Sequence, residues 1–360
     1  MYHGFYRDKT VLVTGIAGFK GTWLALVLLE AGAGEVVGLD KERQPRSNFV
    51  ASGLEQRVTF VQGDIRDPAL MLRVLTEYRV DVVFHLAAQA IVKTAFQSPV
   101  ETVSANVLGT AVVLEAVRQA GTAGRCVVAT SDKAYGDKGG ALYVEDDPLR
   151  GTDVYSASKS AADMLTQTWF TSYFKPSGIH GGIVRCGNII GGGDWAAGRI
   201  VVDCAKALTA GCPPDIHNPE MVRDYFYVLD AVSGYLSLGA ALDQDGVDGE
   251  GFNFGPHEHD VRNADLATRI CDLWDAGLTW RHTPPPEPFP EILKQTLSWE
   301  KARTRLGWAP AYTLDEALRD TVAWYQGWAQ GARLDDLNVQ LLHRHRDRAR
   351  ERGLAWAREG

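Results

Sequence analysis

Cysteine is scarce and unpatterned. The five cysteines, at 126, 186, 204, 212 and 271, form no C-x-x-C pair, and their number is odd. A disulfide framework is therefore not expected, no metal-ligand set stands out, and a reduced, cytoplasmic setting is the expectation. Cys126 and Cys186 lie in apolar runs and read as small buried hydrophobes. Positive charge is also short. The net charge is −8, which argues against a general nucleic-acid binder. One basic run, His343-Arg344-His345-Arg346-Asp347-Arg348-Ala349-Arg350, is expected to be a solvated, partly helical tail. No stretch of about 18 apolar residues occurs, so no membrane span is expected. The opening MYHGFYRDK is polar and runs straight into a strand, unlike a signal peptide. Internal repeats and low-complexity linkers are missing too.

What remains is an ordinary globular composition, 45% apolar and 23% charged over 360 residues, enough for one large α/β unit or two packed lobes. Short apolar runs predict strands at 10–15, 35–40, 58–67, 80–88, 124–131 and 178–191. Helical patterns at 68–78, 98–120 and 153–174 separate most of them. Strands alternating with helices predict a Rossmann-type, doubly wound parallel α/β sheet. Beyond about 192 the alternation weakens and a Pro-rich bend lies at 283–291. The stretch 298–328 reads as helix, turn, helix, with Thr313 as cap and Glu316 three residues on. The expected division is 1–190 for nucleotide binding, 191–335 mainly for a smaller C-terminal substrate-binding lobe, and 336–360 as a charged tail.

Gly15-Ile-Ala-Gly18-Phe-Lys-Gly21 lies between the first strand and the first helix. Glycines there allow a tight turn and close approach of a pyrophosphate, and the helix start offers free N–H groups. Asp40 ends the second strand, where a carboxylate suits the ribose hydroxyls of NAD. Lys41 and Arg43 beside it would suit the 2′-phosphate of NADP instead. Lys20 either reaches a cofactor phosphate or is solvated. Asp64-Ile65, after the third strand, is placed for the adenine. His85 reads as a packed core histidine.

Tyr155-Ser-Ala-Ser-Lys159 is Y-x-x-x-K, with both side chains on one helical face. An ammonium there is expected to bring the phenol pKa down from about 10 toward neutrality. The tyrosine then takes a proton from a sugar hydroxyl while a hydride leaves for NAD.

The strings VTGIAGFKGTWLALVLLEAGA, HLAAQAIV, NVLGT, TSDKAYG, EDDPLRGTDVYSASKSAAD and RCGNIIGGGDWA carry a resemblance over roughly residues 8–328. The chain resembles the extended short-chain dehydrogenase/reductase family, and within it the nucleotide-sugar 4,6-dehydratases, the CDP-glucose type above all. The resemblance implies bound NAD, a nucleotide-hexose substrate and a homodimer. It adds Phe19, Leu86, Ala87 and Ala88 to the NAD pocket, and Gln89 and Asn188 to the substrate site, with Arg199 and Arg223 on the diphosphate. In the implied scheme Ser131 hydrogen-bonds the sugar 4-hydroxyl and Tyr155 deprotonates it. Lys133, or a group it positions, takes the carbon-5 proton, and Asp132 protonates the departing 6-hydroxyl. Trp195 either stacks on substrate or fills core. One segment departs from the CDP-glucose pattern: VRDYFYVLDA (222–231) looks more like the dTDP- and UDP-sugar members, which puts the nucleotide in question. The competing readings are a nucleotide-sugar epimerase, against which Asp132-Lys133 counts, and a non-catalytic sensor of NAD or sugar nucleotide.

Overall fold

The computed structural model describes residues 1–284 and 292–358. The expected Pro-rich bend at 283–291 lies almost wholly outside the described residues. Six strands follow the predicted order: β1 (Thr10–Thr14), β2 (Glu35–Asp40), β3 (Thr59–Gln62), β4 (Val82–His85), β5 (Arg125–Ala129) and β6 (His180–Cys186). They form one parallel sheet with a seventh strand, Gly251–Phe254. The spatial order is Gly251–Phe254, β6, β5, β4, β1, β2, β3.

Side-chain alternation explains why this sheet is buried on both faces. In β1, Val11 and Val13 join the core on one side while Leu12 joins the other. The first core includes Trp23 and Leu24 of α1 (Phe19–Glu30) together with the helix Val228–Ala241. The second includes Val113, Leu114 and Val117 of the helix Pro99–Ala120. That last helix is long and apolar enough by composition to cross a membrane, but half of it is buried here. It runs through one wide turn, Ser104–Leu108, in which Asn106 is buried.

The strand order reverses between β1 and β4, and ligands of such sheets bind in the crevice at that point. The turn after β1 and the loop after β4 meet there.

Three expectations are corrected. The run 178–191 is not one strand: Asn188–Ile190 leaves the sheet and pairs with Tyr225–Tyr227. The nucleotide-binding unit does not end at 190, because the helix Val228–Ala241 and the strand Gly251–Phe254 return to it after an excursion. The basic tail is not simply solvated. It forms the helix Leu334–Glu351, with Leu341, Leu342, His345 and Ala349 buried. His345 Nε2 bonds Asp230 Oδ1 at 2.8 Å, while Arg346 pairs with Glu30 at 2.7 Å on the outside. The Thr313–Glu316 capping box forms as expected.

Candidate active site

The glycine turn is shaped for close approach. Gly15 has φ +75°, and a Cβ there would lie 2.9 Å from the Ala87 main-chain N. A Cβ on Gly21 would lie 2.1 Å from the Gly15 carbonyl oxygen, so α1 packs directly on the turn. Gly18 caps α1 without a side-chain hydrogen bond, leaving the first N–H groups free for an anion. Asp40 accepts Ala17 N–H at 3.0 Å and Lys41 N–H at 2.8 Å. Its carboxylate is thereby held at the mouth of the turn, with burial raising its pKa against those two bonds. Lys41 is drawn to Asp64 (3.1 Å) and Glu101 (3.3 Å), and Arg43 to Glu55 (3.0 Å). Both cations that would suit a 2′-phosphate are thus engaged by carboxylates, and the residues present fit NAD.

Several expected contacts are placed otherwise. The Asp64 carboxylate is gripped by Arg66 at 2.7 Å, which holds its pKa far below the usual range. The Ile65 side chain is buried against Gly109. Gln89 folds back on its own loop, its amide bonding Ile91 O and N at 2.8 and 2.9 Å, so its side chain is not offered to substrate. Trp195 lies in a cluster with Trp324, Tyr325 and Trp328, at 4.6 Å from the last, and fills core. His85 is a core histidine as expected. It bonds Thr14 and Thr110, and burial pushes its pKa down to about 3.

The catalytic candidates do come together. Ser131 caps the short turn Asp132–Tyr135 at the end of β5. Its hydroxyl donates to Asp132 Oδ1 at 2.9 Å, and the same Oδ1 accepts Lys133 N–H at 2.9 Å. Asp132 is buried, Lys133 half-buried, and the described residues show no ion pair between them. Asp132-Lys133 is therefore not a solvated ion pair on a loop. Gln295 Nε2 holds the Asp132 carbonyl at 2.9 Å.

Tyr155 and Lys159 lie buried on the inner face of the helix Val154–Trp169, whose start is capped by Asp153. The expected fall in the phenol pKa is not what the structure shows. Burial pushes Tyr155 up to about 12, and the hydrogen bond from Ser131 only partly opposes it. Burial also pulls Lys159 down to about 7, helped by the Lys20 ammonium. Desolvation disfavours both charged forms, and the positive ring of NAD is the missing charge that would draw the phenol down. Lys20 is not solvated at its tip. Its ammonium lies 5.9 Å from the Tyr235 ring centre, and burial lowers its pKa.

On the substrate side Arg199 pairs with Asp194 at 2.7 Å, and Arg223 is buried with bonds to Val222 and Leu293 carbonyls. Asn188, half-buried, starts the short strand that leads away from Gly187. A Cβ on Gly187 would sit 3.4 Å from Asp132 Oδ2.

Two supports were missed from sequence. Asp163 is fully buried and takes a two-pronged contact from Arg185 (2.8 and 2.8 Å) and a bond from Thr130 (2.7 Å). It fixes the Tyr155 helix against the β5 end that carries Ser131. Removing one partner of such a pair costs about 3–5 kcal/mol. The signal was there: 155, 159 and 163 are spaced i, i+4, i+8, one helical face. Asn106 is the second. In its wide turn it bonds Gln89 N and O and Ser158 Oγ, at 2.8, 3.0 and 2.9 Å, tying the loop after β4 to the same helix.

Comparison with known proteins agrees with this geometry. A family described as GDP-mannose 4,6 dehydratase matches residues 12–321. The chain is 35% identical to the CDP-glucose 4,6-dehydratase of Salmonella typhimurium, over 91% of this chain and 93% of that protein. It is 30% identical to the dTDP-glucose 4,6-dehydratase of Neisseria gonorrhoeae, over 88% and 95%. Among solved structures, dTDP-glucose 4,6-dehydratase from Streptomyces venezuelae, with NAD bound, superposes with a TM-score of 0.78 at 27% identity, over 89% and 98%.

Proposed function

The chain belongs to the GDP-mannose 4,6 dehydratase family, and from that premise we propose that its substrate is CDP-glucose and its product the CDP-bound 4-keto-6-deoxy sugar. It is an NAD-dependent nucleotide-sugar 4,6-dehydratase, a hydro-lyase. NAD, when bound, would supply the hydride exchange between carbon 4 and carbon 6. The glycine turn and Asp40 hold the cofactor. Tyr155 takes the 4-hydroxyl proton, Ser131 orients that hydroxyl, Asp132 protonates the departing 6-hydroxyl, and Lys133 handles the carbon-5 proton. Arg199 and Arg223 serve the diphosphate.

The observation that carries this reading is the burial of Ser131, Asp132 and Tyr155 beside one another, with Lys133 half-buried next to them. A pure sensor has no need of a buried acid beside a buried phenol, and an epimerase has no group to expel. Asp132-Lys133 and the 35% identity favour the CDP nucleotide, while the VRDYFYVLDA segment favours dTDP or UDP. Incubating the protein with CDP-, dTDP-, UDP- and GDP-glucose, and weighing the products, separates these. Loss of one water from CDP-glucose, with only catalytic NAD, is expected. Turnover of dTDP-glucose alone would move the assignment, and an unchanged mass with an altered sugar would make it an epimerase.

The proposal extends to a homodimer. Val100, Val103, Leu108 and Met164 stand exposed on adjacent helices, Val100 at 81%. Apolar residues gathered this way on neighbouring helices mark an interaction surface, and a second copy presenting the same face would cover it. Met164 lies on the side of its helix opposite Tyr155, so pairing would brace the catalytic helix from behind. Sedimentation should give a dimer at micromolar concentration and a monomer for Leu108→Glu. A monomeric wild type would refute the pairing.

A further inference from the structure

The carboxyl ends of β5, β6 and the strand Gly251–Phe254 stand side by side in the sheet. Ligands of such sheets bind beyond these ends. Ser131 and Asp132 follow β5, Gly187 follows β6, and the loop after Phe254 carries His259. His259 Nδ1 lies 2.9 Å from Asp224 Oδ1, while Asp224 Oδ2 accepts Leu297 N–H at 2.8 Å. Asp224 is buried and His259 half-buried. A Cβ on Gly187 would lie 3.4 Å from Asp132 Oδ2 and 3.8 Å from Asp224 Cβ, so this pair borders the acid of the proposed reaction. A carboxylate only accepts, which commits the Nδ1–H of His259 to Asp224. Its other ring nitrogen, Nε2, has no partner among the described residues.

On the reading proposed above, on which this inference rests, Asp132 meets carbon 6 of the hexose, and the diphosphate hangs from carbon 1, across the ring. The short strands around His259 carry cations. Val261–Arg262 pairs with Val222–Arg223, and that strand with Lys294–Gln295. We propose that His259, braced by Asp224, binds the diphosphate of the sugar nucleotide, donating from Nε2 to a phosphate oxygen while its ring is protonated. With Nδ1–H held by Asp224, a neutral ring presents a lone pair at Nε2 and meets the phosphate acceptor to acceptor. Protonation turns the same atom into a charged donor. The bond to Asp224 raises the His259 pKa above its ordinary 6.5, helped by Asp260 and opposed by burial and by Lys294. Lys294 is itself paired with Asp260 at 2.7 Å, and Glu258 is turned to Arg269 at 2.8 Å. Burial lifts the Asp224 pKa in turn, with Asp132 adding to it and the bond from His259 opposing it. The imidazolium is therefore present below pH 6.5 and is lost as pH rises through the raised value.

The test is calorimetric titration of CDP-glucose, with dTDP-glucose and cytidine beside it, into Tyr155→Phe protein, in which turnover is slow enough for binding to be read. The doubly esterified diphosphate keeps its charge from about pH 6 to about pH 9, so a change in affinity belongs to the protein. Affinity for CDP-glucose should fall about tenfold or more over that range, while cytidine, which has no phosphate, should not follow. Adding His259→Gln keeps a donor for Asp224 but no charge. That protein should bind CDP-glucose at every pH as weakly as its parent does at the alkaline end. Adding Asp224→Asn instead removes the carboxylate that holds the proton, and the fall should move to lower pH. Parent affinity and pH dependence in the His259→Gln protein would overturn the proposal, and so would a fall that cytidine shares. Should His259→Gln fail to fold, the Asp224→Asn profile decides, and an unmoved transition there refutes the pair. Binding of neither sugar nucleotide by the parent would instead overturn the underlying substrate assignment.

Discussion

Tyr155→Phe is expected to lower turnover by about 10²–10⁴, the usual contribution of a positioned proton-transfer group. The ring stays, so the buried face of the helix Val154–Trp169 keeps its packing, and sugar-nucleotide affinity should change little. The size of the loss follows from the site. The phenol is almost fully enclosed, and burial holds its pKa at about 12 in the protein without cofactor. Steady-state kinetics with a parallel binding measurement decide the matter. Near-full activity for Tyr155→Phe would remove the Y-x-x-x-K assignment, and an equal loss in affinity would make the phenol a binding group.

Lys133→Met is expected to split the reaction. The Asp132 carboxylate is held by Ser131 and by the Lys133 main-chain N–H, not by the Lys133 side chain. Substitution by an apolar side chain of similar length therefore leaves the acid in place. Oxidation at carbon 4 should continue, because Tyr155 and Lys159 are untouched. Removal of the carbon-5 proton should fail, with elimination slowed by about 10² or more. Absorbance of reduced cofactor should then build up after addition of sugar nucleotide, without 4-keto-6-deoxy product, and solvent deuterium should stop entering carbon 5. Dehydration at the parent rate would reduce Lys133 to a loop residue.

The parts of the site legible in sequence are those set by local spacing. The glycine turn, Asp40 at the end of β2 and the i, i+4 pair Tyr155 and Lys159 need only a strand-turn-helix and one helical face. The Thr313 cap is equally local. Contacts between distant segments were not legible. Nothing near Asp163 announces Arg185 or Thr130, and nothing near Asn106 announces Ser158, since each pairing exists only once the sheet has brought the segments together. The same limit explains the misplaced residues. Gln89 and Ile65 are where their motifs put them, but the direction of their side chains is decided by Ile91 and by Gly109. Trp195 is claimed by an aromatic cluster from a helix more than a hundred residues later. The phenol pKa went the wrong way because a charge count along the helix omits the desolvation of both partners.

The strand Gly251–Phe254, supplied by the chain after its excursion through the substrate side, has a consequence for fragments. Among the described residues it is the strand that covers the outer edge of β6, to which it is paired from Ile183 to Cys186. A polypeptide ending near residue 190 would hold the whole glycine turn and both Tyr155 and Lys159, yet would present an open row of main-chain donors and acceptors along an apolar strand. Such an edge recruits other chains. The first half of this protein is therefore expected to aggregate on its own, even though every residue that touches the cofactor in the proposed site lies within it.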